Sequence, residues 1–386
     1  MRVLYIAHSC PYPPNKGDRI RNFHVLKYLA RKHSVILIYP SFSHSELRYA
    51  EQLNKFCESV KTIYLSKHWS RLRCCLGLLR QVPLTNTYFF SKSLQRLIDS
   101  ERYDLALADC SSMAQYIQHI EKPKIVDLVD VDSEKWHLYA QMTSFPKSWI
   151  YQVEYKRLRQ FEATLVRTFD VLLVISESEK RLLPQTEKLF VVGNGIDLDF
   201  FSPRHDRSRN PTLIFTGAMN YFPNIDAVLY FHHEVFPLIR QQIPGIRFII
   251  GGMDPSPEIC RLQSEDTIVT GFVPDMREYL ARASVCVVPL RIARGVQNKI
   301  LEAMAMGIPV VSTSLANQGI GARHEREILL ADDPQSFSQA VIKLLRDQAL
   351  HETLAINARQ FVEAHFTWES RLQNLDQALL TAMSQR

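Results

Sequence analysis

The sequence predicts an α/β protein of two domains, each a parallel sheet with helices on its faces. Three observations carry that prediction. Short apolar runs rich in β-branched residues alternate along the chain with segments of helical periodicity. The alternation is broken once, by the polar stretch 202–211 with its two prolines, and then starts again. The 386 residues are long for one domain and ordinary for two. The expected division is 1–201 and 202–365, with 366–386 as a terminal helix that packs back on the first domain.

Residues 3–7 have the length and β-branching of a buried parallel strand. A loop holding Pro, Asn and Gly follows at 11–17. Residues 19–31 carry Ile20, Phe23, Leu26, Leu29 and Ala30 at helical spacing, and 35–39 is a second apolar run. The chain thus opens on a strand–helix–strand unit. Further strands are expected at 60–64, 104–108, 124–128, 171–175 and at Val191-Val192, with helices at 44–56, 91–100, 148–168 and 177–183. Beyond the linker, strands are expected at 212–216, 246–250, 267–269, 284–288 and 309–312. The helices there are 224–241, 275–283, 298–306 and 334–347, and 367–383 is amphipathic with no strand after it. Open parallel sheets bind ligands beyond the carboxyl ends of their strands. Two such sheets would face a central cleft, and the residues just after each strand are the candidates for chemistry.

The net charge of +6 suits phosphate-bearing ligands or an anionic membrane surface. No Lys/Arg run and no aromatic-interleaved RNA motif is present, so no nucleic-acid partner is expected. The seven cysteines are irregularly spaced and include no CxxC, which argues against a disulfide framework or a zinc site and for reduced thiols in a cytoplasm. No run of about 18 apolar residues occurs, and 1–7 is too short for a signal peptide. Residues 61–80 hold Lys61, Lys67, Arg71, Arg73 and Arg80, no acid, and Trp69, Leu72, Leu76 and Leu79 at helical spacing. That pattern fits a covering helix with its basic side in solvent, or a peripheral contact with the inner membrane.

The most informative stretch is 287–311. It reads as strand, basic glycine-containing loop, helix, glycine stop, proline and strand. Gly307 stands where a helix ends and Pro309 just beyond it. The helix begins near Asn298, and its first amides and positive dipole end suit a diphosphate. Arg291, Arg294 and Lys299 add positive charge there, and Glu302 can accept hydrogen bonds from ribose hydroxyls. The bland reading is a plain crossover whose loop is basic.

This stretch resembles the donor-binding signature of the retaining GT-B glycosyltransferases of family four, matching at Gly295, Glu302, Ala303, Met304, Ala305, Gly307, Pro309, Val310 and Val311. Asn194-Gly195-Ile196-Asp197 with Phe201 and Pro203, and Gly271-Phe272-Val273 with Asp275, resemble two further motifs of that family in the same order. Gly217-Ala218-Met219-Asn220-Tyr221-Phe222-Pro223-Asn224, the 294–299 segment and Asp130-Val131-Asp132-Ser133-Glu134-Lys135-Trp136 resemble sugar transferases associated with exopolysaccharide loci of PEP-CTERM/exosortase bacteria. The resemblance implies two Rossmann-like domains facing a cleft, no cofactor, no metal, a nucleotide-diphosphate sugar donor, and a glycan or lipid-linked acceptor in exopolysaccharide synthesis. It implies that Gly17, Gly217, Phe272, Val273, Arg291, Gly295, Asn298, Lys299, Ile300, Leu301 and Glu302 hold the donor, and that Asp130, Asp132, Arg294 and Lys299 serve catalysis. Arg294 replaces the family's first Glu, Gly17-Asp18 replaces Gly-Gly, and the usual Arg and Lys after the second half's first strand are missing; Arg294 and Lys299 are expected to neutralise the leaving diphosphate instead.

In the first half, Asp127, Asp130 and Asp132 follow a strand. Asp130 or Asp132 could orient an acceptor hydroxyl or take its proton, or cap a helix. Asp109 is a weaker acceptor candidate that reads first as a loop cap, and His8, after the first strand, reads first as structural. Three other functions fit less well. An epimerase acting on UDP-N-acetylglucosamine would share the fold, a non-catalytic partner subunit would suit Arg294, and a nicotinamide dehydrogenase lacks its GxGxxG.

Overall fold

The structure, a computed structural model, describes residues 1–14, 17–78, 80–204, 211–293 and 295–385; the side chains of Asp18, Ser45 and Leu76 lie outside that description. The chain divides into two units, Met1–Gly193 with Leu372–Arg386, and Asn194–Arg371. In the first, strands β1 (Arg2–Ile6), β2 (Ser34–Ser41), β3 (Ser59–Tyr64), β4 (Leu105–Asp109), β5 (Lys124–Val129), β6 (Val171–Val174) and β7 (Leu189–Val191) form one sheet in the order β3-β2-β1-β4-β5-β6-β7. In the second, β8 (Thr212–Thr216), β9 (Arg247–Gly251), β10 (Thr267–Gly271), β11 (Val285–Val288), β12 (Val310–Ser312) and β13 (Leu329–Leu330) run in the order β10-β9-β8-β11-β12-β13. Every pairing is parallel.

The central strands are buried on both faces, as their unbroken apolar sequences require: Val3 to Ile6, Val35 to Tyr39 and Val285 to Val288 are almost fully sequestered. All the expected strands are present. β13 was missed because two residues carry no period. The expected helix at 61–80 is shorter: 61–64 belong to β3, and the helix is Lys67–Gly77. Among the described residues six helices went unread: Leu84–Phe89, Cys110–Ala114, Asp132–Met142, Pro257–Cys260, Ser314–Asn317 and Gln348–His365.

The long helix Lys147–Thr168 fastens two of these. Glu154 accepts from the amides of Leu84 (2.5 Å) and Thr85 (2.8 Å), and Glu162 from the amide and hydroxyl of Ser133 (3.0 and 2.5 Å). Each carboxyl takes first-turn donors that a helix leaves unpaired. Burial pushes Glu162 up to about 8. A buried ion pair lies in the same unit. Arg21, on helix Gly17–Ala30, holds Asp127 of β5 with two hydrogen bonds (2.9 and 3.0 Å) and donates to the carbonyl of Val192 at 2.8 Å. Both side chains are 2% exposed. Burial outweighs the guanidinium and pushes Asp127 up to about 6.

The chain passes between units at Gly193, ahead of the linker at 202–211, of which 205–210 lie outside the described residues. The reason is that 194–201 is bonded into the second unit. The amide of Ile196 donates to the carbonyl of Phe366 (2.7 Å), and Arg277 and Arg359 donate to the carbonyls of Phe200 (3.0 Å) and Phe201 (2.8 Å). The helix Trp368–Ser384 buries Leu372, Leu375, Leu379 and Ala382, and its Asp376 takes the Tyr28 hydroxyl (2.8 Å) and Lys32 (2.5 Å).

Removing one partner of a buried ion pair strands the other. Arg21→Leu is therefore expected to cost about 3–5 kcal/mol of stability, measured by urea unfolding at pH 7. A loss below about 1 kcal/mol would mean that Asp127 is not held as described.

Candidate active site

Each sheet has one place where its strand order reverses, between β1 and β4 in the first unit and between β8 and β11 in the second. The loops after such neighbours run in opposite directions and leave a crevice. Of the expected site residues, Gly17 follows β1, Gly217 follows β8 and 291–302 follow β11, whereas Asp130 and Asp132 follow β5 and Phe272 and Val273 follow the edge strand β10.

In the second unit the loop after β8 is pinned by close backbone approach. The Gly217 amide donates to the Gly251 carbonyl at 3.0 Å. A Cβ on Gly252 would lie 1.7 Å from the Gly217 carbonyl oxygen, and one on Gly217 would lie 2.6 Å from Asn224 Nδ2. Asn224, at the start of helix Phe222–Tyr230, closes the turn by donating to the Ala218 carbonyl (3.0 Å). Its Oδ1 accepts from Lys299 Nζ at 2.9 Å.

Lys299 comes from across the reversal. After β11 the loop 289–297 leads into helix Asn298–Ala305. This helix ends as expected: Gly307 has φ 68°, its amide donates to Met304 (3.0 Å) and the Ile308 amide donates to Ala303 (2.9 Å), a Schellman closure. Ile300 and Leu301 are buried and fix the helix, while Asn298 is exposed. The Ile300 amide donates to Gln297 at 3.0 Å, which leaves the amides of Asn298 and Lys299 as the forward-facing donors. Lys299 Nζ also lies 4.8 Å from the centre of the Phe215 ring. Burial lowers this ammonium to about 8, against the upward pull of Cys286 and Glu302. Glu302, less than a turn further on, is raised to about 7 by burial, against the pull of Lys299.

Other expected residues take different roles. Arg291 is held by Asp226 through two hydrogen bonds (3.0 and 2.6 Å), with its guanidinium 4.6 Å from the centre of the Tyr230 ring, so its charge is already matched. Arg294 lies outside the described residues. Gly295 has φ 59°, in the left-handed region. Phe272 is 71% exposed and Val273 half-buried beyond Gly271, whose φ is 63°. Asp275 is gripped by Arg277 (2.8 and 2.6 Å), which lowers its carboxyl. Asp197 accepts from the amides of Asp199 (3.1 Å) and Phe200 (3.0 Å), so the Asn-Gly-Ile-Asp motif is scaffold. Gly319 carried no sequence signal, yet a Cβ there would sit 2.1 Å from the Gly295 carbonyl oxygen.

In the first unit, Gly17 starts its helix in open space, with nothing within 4 Å of a Cβ. Asp130 is exposed. Asp132 is half-buried, accepts from the Ser111 hydroxyl at 2.8 Å, and is raised by burial, partly offset by Lys135. At the β1/β4 reversal the structure joins two residues that the sequence left apart. His8 Nδ1 is hydrogen-bonded to Asp109 Oδ2, which also takes the His8 amide (3.2 Å) and Asn22 Nδ2 (2.6 Å). Tyr5 donates to Asn22 Oδ1 at 2.7 Å. Cys110, next to Asp109 in the chain, and Val129, two residues beyond Asp127, the strand partner of Asp109, have φ of 61° and 63°, uncommon for residues with a Cβ and strained for a β-branched one.

Residues 210–347 match the family described as Glycosyl transferases group 1. An uncharacterized 44.6 kDa protein in the cps region of Klebsiella pneumoniae is 22% identical over 387 residues, 95% of this chain and 96% of that one. Sucrose-phosphate synthase from Thermosynechococcus elongatus superposes with a TM-score of 0.73 at 18% identity over 100% of both chains. HepE of Anabaena, solved in complex with UDP-glucose, gives 0.70 at 16% identity over 99% of this chain and 100% of its own. The fold is GT-B, and the match to the glycosyl transferases group 1 model lies within its second unit. The protein is a glycosyltransferase.

A methyl group on Gly319 meets backbone, which cannot step aside. Gly319→Ala is expected to lose about 1–3 kcal/mol in urea unfolding, as overpacked sites do. Gly17→Ala, with open space at its Cβ, is expected to be neutral or to gain up to about 1 kcal/mol.

Proposed function

We propose that the protein transfers a sugar from a nucleoside-diphosphate sugar to a glycan or lipid-linked saccharide in the synthesis of a surface polysaccharide. The observation that carries this reading is the Lys299–Glu302 pair at the start of helix Asn298–Ala305, inside the 210–347 match. The helix amides and Lys299 bind the diphosphate and stabilise the charge that develops as it leaves. Glu302 accepts from the ribose hydroxyls, and the backbone at Phe272 and Val273 meets the base. Asp130 and Asp132 belong to acceptor binding, and Arg294 to the donor phosphates. A uridine base is favoured by the UDP-glucose bound to HepE, and a capsule-type product by the cps relative. Retention of anomeric configuration, a cytoplasmic location, the exosortase-linked pathway and independence of metal follow from the sequence resemblance. The epimerase alternative predicts a new UDP-sugar without any acceptor.

Thermal shift against UDP-, GDP-, ADP- and dTDP-glucose, with and without Mg²⁺, tests the donor site. A nucleotide at about 100 times its dissociation constant adds roughly 2.7 kcal/mol of stability. One nucleotide is expected to do so without Mg²⁺, and Glu302→Ala and Lys299→Gln to bind it about 10-fold or more weakly, the scale of a hydrogen bond to a charged group. No shift with any nucleotide in the wild type would sink the reading.

The pH dependence has a definite sign. Lys299 sits at about 8 in the empty site. A bound diphosphate raises it, so affinity is full below about 8 and falls as pH rises beyond it. Calorimetry at pH 8.5 in buffers of different ionisation enthalpy should show proton uptake on binding UDP. Proton release there would contradict a Lys299–diphosphate contact.

A lipid-linked acceptor suits the helix Lys67–Gly77. Trp69 (68% exposed) and Leu72 (51%) stand in solvent beside exposed Lys67 and Arg71. Two other basic residues of the stretch are committed elsewhere, Lys61 to Glu101 and Arg73 to the carbonyl of Phe90. No helix among the described residues is long and apolar enough to cross a membrane. Trp69→Glu with Leu72→Glu is expected to abolish co-sedimentation with phosphatidylglycerol vesicles while leaving UDP binding intact; unchanged sedimentation would remove the membrane contact.

A further inference from the structure

We propose that the hairpin of helices Asp132–Met142 and Lys147–Thr168 lays its tip, formed by Met142, Phe145 and Trp149, on the surface of an anionic phospholipid bilayer. The contact stands apart from the donor reading, and it lies on a different element from helix Lys67–Gly77.

The two helices pack chiefly against each other. Not one residue from 134 to 153 is buried, although the stretch is rich in large apolar side chains. Trp136, Tyr139 and Tyr151 meet one another with ring centres 5.2 to 6.1 Å apart, which ties the helices together but leaves the rings partly in solvent. Beyond them Phe145 is 80% exposed, Trp149 55% and Met142 37%. Exposed apolar residues scattered singly are ordinary, whereas a group of them at one turn marks a contact surface. The base of the hairpin is fixed by buried carboxyls: Glu162 takes the amide and hydroxyl of Ser133, and Glu154 the amides of Leu84 and Thr85. The tip is therefore held out on a firm base with nothing in the fold to bury it.

The charge of this surface has one sign. From 135 to 153 there is no acid. Helix Lys147–Thr168 has only Glu154 and Glu162, each 1% exposed, whereas Lys147, Lys156, Arg159 and Arg167 stand in solvent. Trp149 and Lys156 stand at i and i+7, on one face of the helix. An indole has an apolar body and a polar edge, and beside cations it suits the headgroup layer of an anionic bilayer. Two other arrangements fit less well. A symmetric pair of copies would bring the cations of one tip against those of the other. A membrane-spanning segment needs a helix longer and more apolar than any among the described residues.

Docking there has a use in the proposed reaction. Helix Asp132–Met142 leads from the tip back to residues 130–132, which the acceptor reading assigns to the saccharide. Its 11 residues rise about 1.5 Å each, so a docked tip keeps that loop within about 16 Å of the headgroups, near a saccharide whose lipid stays in the bilayer. This use rests on the acceptor reading; the docking itself does not. Two separate contacts, the hairpin and helix Lys67–Gly77, bind together more firmly than either alone, so loss of either one releases the chain.

The test titrates the full chain with vesicles of phosphatidylglycerol and of phosphatidylcholine. The wild type is expected to prefer phosphatidylglycerol, and less so at high salt. Phe145→Ser with Trp149→Ser should weaken that binding at least about 10-fold, the scale of one large apolar side chain returned to water, at an unchanged urea midpoint. Lys147→Gln with Lys156→Gln should weaken it too. Phosphatidylglycerol brominated on its acyl chains should quench tryptophan emission, and Trp149→Phe, which keeps an aromatic ring and needs no disruptive substitution, should lose part of that quenching. Binding of the Phe145→Ser, Trp149→Ser variant within about twofold of wild type, or unchanged quenching in Trp149→Phe, would overturn the proposal. So would a dimer of the free chain that the double variant dissociates, which would assign the tip to a second copy. Quenching lost in Trp69→Phe but not in Trp149→Phe would leave helix Lys67–Gly77 as the contact and overturn it as well. UDP-glucose affinity, read by calorimetry without vesicles, reports on the donor reading separately.

Discussion

Crossovers between parallel strands have one hand, and that constraint organises the rest of this molecule. Right-handed connections can build a sheet outward from a central strand in one direction only until the chain returns and builds in the other. Where it returns, two neighbouring strands send their loops to opposite faces and nothing fills the gap. β1 with β4, and β8 with β11, are those neighbours. The Lys299–Asn224 hydrogen bond spans one reversal and the His8–Asp109 pair spans the other. The partners are 75 and 101 residues apart in the chain, and the strand order brings them together.

The charged groups around the two places are handled differently. In the first unit carboxylates are buried and answered by the protein itself: Asp127 by Arg21, Glu154 by two amides, Glu162 by Ser133. They hold helices at fixed positions behind the crevice. In the second unit burial likewise draws Lys299 and Glu302 towards neutrality, and Lys299 is answered by the side-chain amide of Asn224 rather than by a charged partner. A ligand bearing phosphates and hydroxyls would complete what the protein leaves open, whereas the internally matched Arg291 and Asp275 would gain little from one.

Much of this was legible in the sequence, and the part that was not has physical causes. Apolar β-branched runs gave away every strand except two-residue β13, most plainly the central ones, where burial on both faces leaves no polar residue to blur the signal. The helix at 298–305 was readable from its glycine stop, since only a left-handed residue closes it that way. The short helices Leu84–Phe89 and Asp132–Met142 were not, because their N-termini are satisfied by glutamates far away in sequence. Arg291 looked available beside Lys299, but its partner Asp226 lies on another helix. His8 and Asp109 each had an ordinary local explanation, and only the strand order brings them together. Gly319 is required by the approach of Gly295, a contact with no period or motif to announce it.

The path of the chain has a consequence for synthesis. The first unit is interrupted: it is made of Met1–Gly193 and then Leu372–Arg386, with the whole of the second unit between. Its sheet is translated early, but the segment bearing Leu372, Leu375, Leu379 and Asp376 leaves the ribosome only after the whole of the second unit. Until then Tyr28, Lys32 and the Val191 carbonyl lack the partners that Asp376 and Asn374 supply. The N-terminal portion therefore waits, incompletely covered, while residues 194–371 emerge as one continuous stretch able to fold in order. A nascent chain arrested before residue 372 would carry a finished second unit and an unfinished first one, and synthesis of 372–386 is what completes the older half.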